Sequence, residues 1–293
     1  MKRKNFIKLL ALMPLTGVAM KLDKLDKVTD EFGSTPKMPV LFLGHGSPMN
    51  AIEENEFVQS FRMVSGEIER PKAILCISAH WETKGTMVTA MENPQTIHDF
   101  GGFPRALFEV QYPAPGSPKL AKKTQELITT THVELDHKWG LDHGAWSVIK
   151  HMYPNADIPI LQMSLDYTKG AQFHYELAKE ISKLRERGVL IVGSGNMVHN
   201  LSLIDWGRLN ENYGHDWAID ANEKMKQFIL NGDHKGLIDY SRQGKEFALS
   251  IPTPEHYLPL LYCLALKGEK EGLSIFNDQA VAGAITMTSV KVG

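Results

Sequence analysis

Four histidines stand at matched places in the chain. His45 follows the apolar run Val40-Leu41-Phe42-Leu43 inside a Gly-His-Gly turn, and His80 closes the run LCISAHW. His199 follows LIVGSGNMVH, and His256 lies in Pro-Thr-Pro-Glu-His-Tyr at the head of an apolar stretch. Neutral imidazole is the commonest protein ligand for zinc, iron and copper, and three or four converging rings make a transition-metal site. A lone histidine is more often a hydrogen-bonded, packed residue. The metal reading therefore depends on the strands. If those preceding His45, His80 and His199 share a sheet and run the same way, their carboxyl ends bring the imidazoles to one place, where open α/β sheets bind ligands. No short His-x-x-x-His or Cys-x-x-Cys spacing adds to the signal.

A fifth candidate is His143, in Asp142-His143-Gly144-Ala145-Trp146 at a helix start. Asp142 reads as a plain cap with His143 in the first turn, or His143 serves as a donor to an anionic substrate or bound oxygen. His98 and His132 fall in loops, and the remaining histidines lie in polar or amphipathic contexts as solvated or packed residues. The segment from Glu92 to about Ser117 is long, aperiodic and dense in Pro, Gly and aromatics, as in HDFGGFPR and YPAPG. Loops of that length inside a compact domain are usually functional. Its aromatics either line a pocket for a flat ring or anchor the loop on the core. Gly-x-Gly at 193–195 is too short to argue for a nucleotide.

The elements that must position these residues follow from periodicity. Buried strands are expected at Val40–Leu43, Lys72–Trp81, Thr86–Met91, Pro159–Leu165 and Val189–Val192, with two closing strands at Leu273–Phe276 and Ile285–Val292. Helical spacing covers Asn55–Glu69, Leu120–Thr131, Gly144–Met152, Ala171–Arg187 (stopped by Gly188), 214–231 and Pro254–Leu266. Strands alternating with helices predict one α/β domain with a central mixed sheet flanked by helices, its metal site at the strand carboxyl ends. The expected division is an extension and linker over residues 1–37 and one catalytic domain over 38–293.

The chain has 293 residues, 43% hydrophobic and 23% charged, with a formal net charge of −2 and no long basic block. That composition suits a soluble globular protein and argues against nucleic-acid binding through phosphate neutralisation. Cys76 and Cys263 sit in apolar runs and read as buried thiols. Residues 1–20 join a basic start to a broken apolar stretch, the outline of a secretory signal or of an amphipathic extension. Cytoplasmic placement is expected, with export through this segment as the alternative. The stretch is too short and interrupted for a membrane span.

Six motifs in order, GHGSPMN, SAHW, DFGGFP with YPAPG, LDHGAW, GSGNMVHNL and TPEHYLPLL, resemble the class III extradiol ring-cleavage dioxygenases, the LigB-like family, in the branch named for 4,5-DOPA dioxygenase. The likeness runs from about Met38 to the C-terminus. It implies a mononuclear metal enzyme that opens a catechol ring beside the diol with dioxygen, giving a semialdehyde. It also implies metal-site histidines at His45, His80, His199 and His256, with His199 and His143 as catalytic groups. Zinc is associated with bacterial relatives, while the chemistry requires Fe(II). Better-studied members bind metal through two histidines and a glutamate; here His256 stands where that carboxylate is expected, with Glu255 beside it. Whether His199 is a fourth ligand or the base stays open. The implied partners are a small aromatic diol and dioxygen, and a homo-oligomer is compatible with the reading. Two alternatives use the same residues differently: a zinc hydrolase on the same histidines, and a non-catalytic interaction protein of the same fold.

Overall fold

The computed structural model describes residues 33–209 and 211–293. The signal-like segment 1–20 and the first part of the linker lie outside them.

Alternating patterns become alternating faces of one sheet. Eight strands, β1 (Val40–Gly44), β2 (Ala73–Thr83), β3 (Thr86–Thr89), β4 (Val133–Asp136), β5 (Ile160–Asp166), β6 (Val189–Gly195), β7 (Leu273–Phe276) and β10 (Ser289–Val292), are ordered β4-β3-β5-β2-β6-β1-β10-β7. The remaining two, β8 (Ala280–Val281) and β9 (Ile285–Thr286), form a small separate pair. The central strands β5, β2, β6 and β1 are mutually parallel, whereas β10 is antiparallel to β1 and to β7. Successive side chains point to opposite faces of a strand. Accordingly Val40, Phe42, Leu75, Ile77 and Ile191 enter one buried cluster, and Leu41, Leu43, Ile74, Cys76 and Val192 the other. A sheet buried on both sides explains why these strands read as continuous apolar runs.

The helices α1 (Glu56–Gly66), α2 (Arg105–Phe108), α3 (Pro118–Leu127), α4 (His143–Met152), α5 (Ala171–Glu180), α6 (Asp216–Asn231), α7 (His234–Ile238), α8 (Lys245–Ser250) and α9 (Leu258–Ala265) cover the two faces. Asn55 caps α1 and Asp142 caps α4, each accepting a backbone N–H. The helix expected over Ala171–Arg187 is α only to Glu180 and 3-10 over Ser182–Arg187, and Gly188 ends it in the left-handed conformation at φ 79°. The helix expected to open at Pro254 begins instead at Leu258. Pro259 has no N–H to give the Glu255 carbonyl, and the His256 carbonyl accepts the amide of Asn196 at 2.9 Å, so residues 254–257 form a turn. The last expected strand is broken into β9 and β10. Among the described residues no helix is long and apolar enough to cross a membrane, and Cys76 and Cys263 are free and buried.

Candidate metal centre

The three strands singled out by their histidines are neighbours and parallel, in the order β2-β6-β1. Ser194 of β6 pairs with Leu43 of β1 on one side and Ser78 of β2 on the other. His45 and His80 therefore each lie two residues beyond the same level of the sheet. Past Gly44 the chain turns at Gly46, whose φ of 61° is left-handed and where a Cβ would meet Met287 Sδ. Asn50 donates to the His45 carbonyl at 2.9 Å and Ser47 Oγ accepts from the Met49 amide, so both residues support that turn. His80 is not at the end of its strand, since β2 continues to Thr83. It lies past the last pairing with β6 and within the irregularity between Ile77 and Glu82 in the pairing with β5.

His45, His80 and His256 each offer one ring nitrogen within 4.8 Å of the others. The hydrogen bonds on the far side of each ring fix which nitrogen that is. Ser194 Oγ donates its single hydrogen to the Gly144 carbonyl at 2.5 Å. Toward His45 Nδ1, 3.0 Å away, it can only accept, so Nδ1 carries the hydrogen and Nε2 the lone pair. His80 Nδ1 faces Asp99 Oδ2 at 3.2 Å, and His256 Nδ1 faces Glu255 Oε1 at 3.0 Å. Glu255 Oε1 also accepts from Thr253 Oγ1. All three rings have an acceptor beside Nδ1, hydrogen-bonded for His45 and His256 and an ion-pair contact for His80, which leaves Nε2 to carry the lone pair, the arrangement in which histidine ligates a metal.

The Nε2 atoms of His45 and His80 stand 3.2 Å apart. Two lone pairs at that distance repel unless a cation lies between them. Two nitrogens at the usual 2.0–2.1 Å from a tetrahedral ion would be separated by about 3.4 Å. The residues present therefore fit a single metal ion. Burial and the neighbouring imidazoles push His45 and His256 well below the ordinary histidine pKa. Burial also works against a charged His80, but Asp99, with the fields of Asp142 and Glu255, outweighs it and raises that residue.

His199 takes a different position. Its ring stacks on His256 with centroids 3.5 Å apart and planes 8° from parallel. Ligand lone pairs lie in the ring plane, so parallel stacked rings do not aim at one point. Its nearby metal-capable neighbours are Glu255 and His256. Burial lowers its pKa to about 4, against the opposing field of Glu255.

His143 begins α4 as expected, and its ring lies 3.9 Å from that of His80. Nδ1 is 3.0 Å from Asp99 Oδ1 but outside hydrogen-bond geometry, so that buried nitrogen has a charge beside it and no hydrogen-bond partner. Gly144 permits the approach: a Cβ there would sit 2.5 Å from Ser78 Oγ and 2.8 Å from His80 Cδ2. The long loop is anchored on this helix, Trp146 Nε1 donating to the Ile97 carbonyl at 2.8 Å and Phe100 packing against His143 and Trp146.

Two of the acceptors behind the rings, Asp99 and Ser194, have no counterpart among the sequence candidates. Asp99 sits in the aperiodic loop, where only its place between His98 and Phe100 in a Gly- and aromatic-rich stretch marks it. Burial disfavours its ionisation, yet His143 and His80 together hold its carboxyl far below the usual range. Ser194 is marked only by the flanking glycines of β6.

Residues 38–287 match the family described as the catalytic LigB subunit of aromatic ring-opening dioxygenase. Among curated relatives, "4,5-DOPA dioxygenase extradiol" of Escherichia coli K12 is 46% identical over 271 residues, covering 91% of this chain and 98% of the relative. The Beta vulgaris protein of the same name is 35% identical over 258 residues, covering 85% and 94%. Among solved structures, an uncharacterized protein of Escherichia coli K12 superposes with a TM-score of 0.76 at 41% identity, covering 87% of this chain and all of that one.

Proposed function

The chain belongs to the family of the catalytic LigB subunit of aromatic ring-opening dioxygenase and is an extradiol ring-cleavage dioxygenase, and we propose that it acts on a catechol of the DOPA type. Both atoms of dioxygen enter the product, a ring-opened semialdehyde. The observation that carries the metal assignment is the pair of facing Nε2 atoms, each fixed as a lone pair by an acceptor behind its ring. The substrate class rests on the relatives named for 4,5-DOPA. Residues 38–293 carry the chemistry in this reading.

His45, His80 and His256 are the proposed ligands. The ion they hold would supply Lewis acidity toward the two catechol oxygens and, if it is Fe(II), an electron path to dioxygen, a redox role that zinc lacks. His199 is assigned the proton from the second hydroxyl. Its ring is off the common point of the three ligands, and burial holds it neutral at physiological pH, so one ring nitrogen carries a lone pair. His143, beside His80 and next to Phe100, is placed to orient an oxygen of the substrate or of dioxygen. Phe100 of the loop packs edge-on against the His143 ring.

The test is anaerobic loading with Fe(II), addition of DOPA or a simple catechol, then oxygen. One equivalent of oxygen consumed per ring and a yellow product are expected, with the zinc-loaded protein inert. No uptake across a panel of catechols, with iron bound, refutes the assignment.

A further inference from the structure

We propose that Asp99 is a positioning residue that ties the 92–117 loop to the metal centre, holding the Nδ1–H of His80 with one carboxylate oxygen and the start of α4 with the other. The inference rests on His80 being a ligand, as proposed above. Asp99 Oδ2 lies 3.2 Å from His80 Nδ1, and Oδ1 accepts the backbone amide of His143 at 2.9 Å. The three acceptors behind the rings differ in origin. Ser194 belongs to the central strand β6 and Glu255 is the chain neighbour of His256, so neither can leave without disturbing rigid structure. Asp99 arrives on an irregular segment.

That segment is held through its backbone before Asp99 and by the packed Phe100 ring after it, and opens at Gly101. The loop edge at Gln95 and Ile97 exchanges backbone bonds with Leu141, Ile97 N to Leu141 O at 2.7 Å and Leu141 N to Gln95 O at 2.8 Å. Beyond Phe100, Gly101 and Gly102 are exposed, and a Cβ on either would meet nothing within 4 Å. The Asp99 carboxylate is therefore the last polar anchor before the exposed tip, with only the packed Phe100 ring after it, and it stands 3.2 Å from the ring nitrogen of a proposed ligand. A contact shared in this way couples two equilibria reciprocally. A seated loop holds His80 in the tautomer and orientation that ligate, and an ion on His80 polarises Nδ1–H and strengthens its hold on the loop.

The experiment uses the full chain with Zn(II) as the probe and neither iron nor catechol present, so its outcome is independent of whether the protein opens rings. Zinc affinity is measured by competition with a chelator. Backbone hydrogen exchange of residues 92–104 is followed with and without saturating zinc, for wild type, Asp99→Asn, Asp99→Ala and Glu255→Gln. Asp99→Asn is expected to bind zinc 10–100-fold more weakly. Zinc should slow exchange of the loop in wild type and in Glu255→Gln, but not in either Asp99 variant. Asp99→Asn is nearly isosteric and carries the test if Asp99→Ala does not fold. Zinc affinity of Asp99→Asn within twofold of wild type overturns the proposal. So does zinc-dependent slowing of the loop that survives Asp99→Asn, or that is lost equally in Glu255→Gln.

Discussion

Replacing Ser194 by alanine removes one oxygen and leaves one buried ring nitrogen without its partner. Its hydroxyl accepts from His45 Nδ1 at 3.0 Å and donates to the Gly144 carbonyl at 2.5 Å, and Ser194 is fully buried while His45 is 2% exposed. The Gly144 carbonyl sits in the helical ladder of α4, whereas His45 Nδ1 loses its hydrogen-bond partner. A buried donor or acceptor left without a partner costs about 1–3 kcal/mol. With one such group stranded, a loss of about 1–3 kcal/mol is expected, a sizeable fraction of a typical stability of about 5–15 kcal/mol. The metal effect is separable. Without the hydroxyl nothing holds the hydrogen on His45 Nδ1, and the tautomer with hydrogen on Nε2 blocks the lone pair that faces His80. Loss of such a support lowers metal affinity about 10–100-fold.

Urea unfolding of the metal-free protein reads the first quantity, and zinc competition with a chelator reads the second. Ser194→Ala within about 0.5 kcal/mol of wild type, the ordinary scatter of neutral substitutions, refutes the burial argument. A destabilised variant with unchanged zinc affinity refutes the tautomer argument instead, leaving the hydroxyl as a link between β6 and α4.

The remaining expectations concern ligands, pH and packing. His45→Ala and His80→Ala should each abolish stoichiometric metal binding while His143→Ala retains it; equal metal content in all three, measured by elemental analysis, contradicts the division of roles. His174 is buried with its ring between the Tyr262 hydroxyl at 2.9 Å and the Asp166 carbonyl at 3.2 Å, an arrangement complete for the neutral ring, and burial lowers its pKa to about 4. The unfolded chain takes up that proton near pH 6.5, so the contribution is whole above about 6.5 and is lost as pH falls toward 4. Between those limits the metal-free protein should lose about 3 kcal/mol through this residue, and His174→Gln should flatten the pH dependence of the urea midpoint; an unchanged slope refutes the assignment. Gly144→Ala drives a methyl to 2.5 Å from Ser78 Oγ and should cost about 1–3 kcal/mol, with a metal-binding defect because His80 Cδ2 is the next atom it meets; wild-type stability in thermal melts would show that α4 can retreat freely.

The features legible in the sequence are those governed by local periodicity. Strands β1, β2 and β6 are apolar throughout because both faces of the sheet are covered, and their glycine-rich or serine-rich exits announced the histidines. Asp142 was legible as a cap because the N-cap bond is made three residues away. Long-range competition decided what was not legible. The turn over 254–257 looks helical by composition, but the Asn196 amide, sixty residues earlier in the chain, claims the His256 carbonyl. The short strand β4 pairs only at its parallel edge with β3 and carries too little apolar signal to stand out, with Val133 its one fully buried residue. Asp99 has no periodic neighbour at all, and its role exists only because the loop folds back over α4.

The same long-range contacts bear on the carboxylate that better-studied relatives are expected to use as a ligand. Three neutral imidazoles bring no charge to a divalent ion, which would leave a buried charge of two unbalanced if the rings stood alone. Two carboxylates stand directly behind them, Asp99 against His80 and Glu255 against His256. The negative charge is therefore present in full but sits one ring farther from the ion, across Nδ1 contacts of 3.2 and 3.0 Å. Placed there, each carboxylate makes its imidazole a stronger donor without occupying a coordination position. Ser194, behind His45, supplies orientation without charge. Removing charge while keeping shape should then distinguish the positions: Glu255→Gln and Asp99→Asn each weaken metal binding by loss of an anion. The double variant should lose more than the sum of the two single losses in kcal/mol, because the second removal leaves the ion with no counter-charge. Strict additivity in a zinc-competition cycle would show instead that the two carboxylates act only on their own rings.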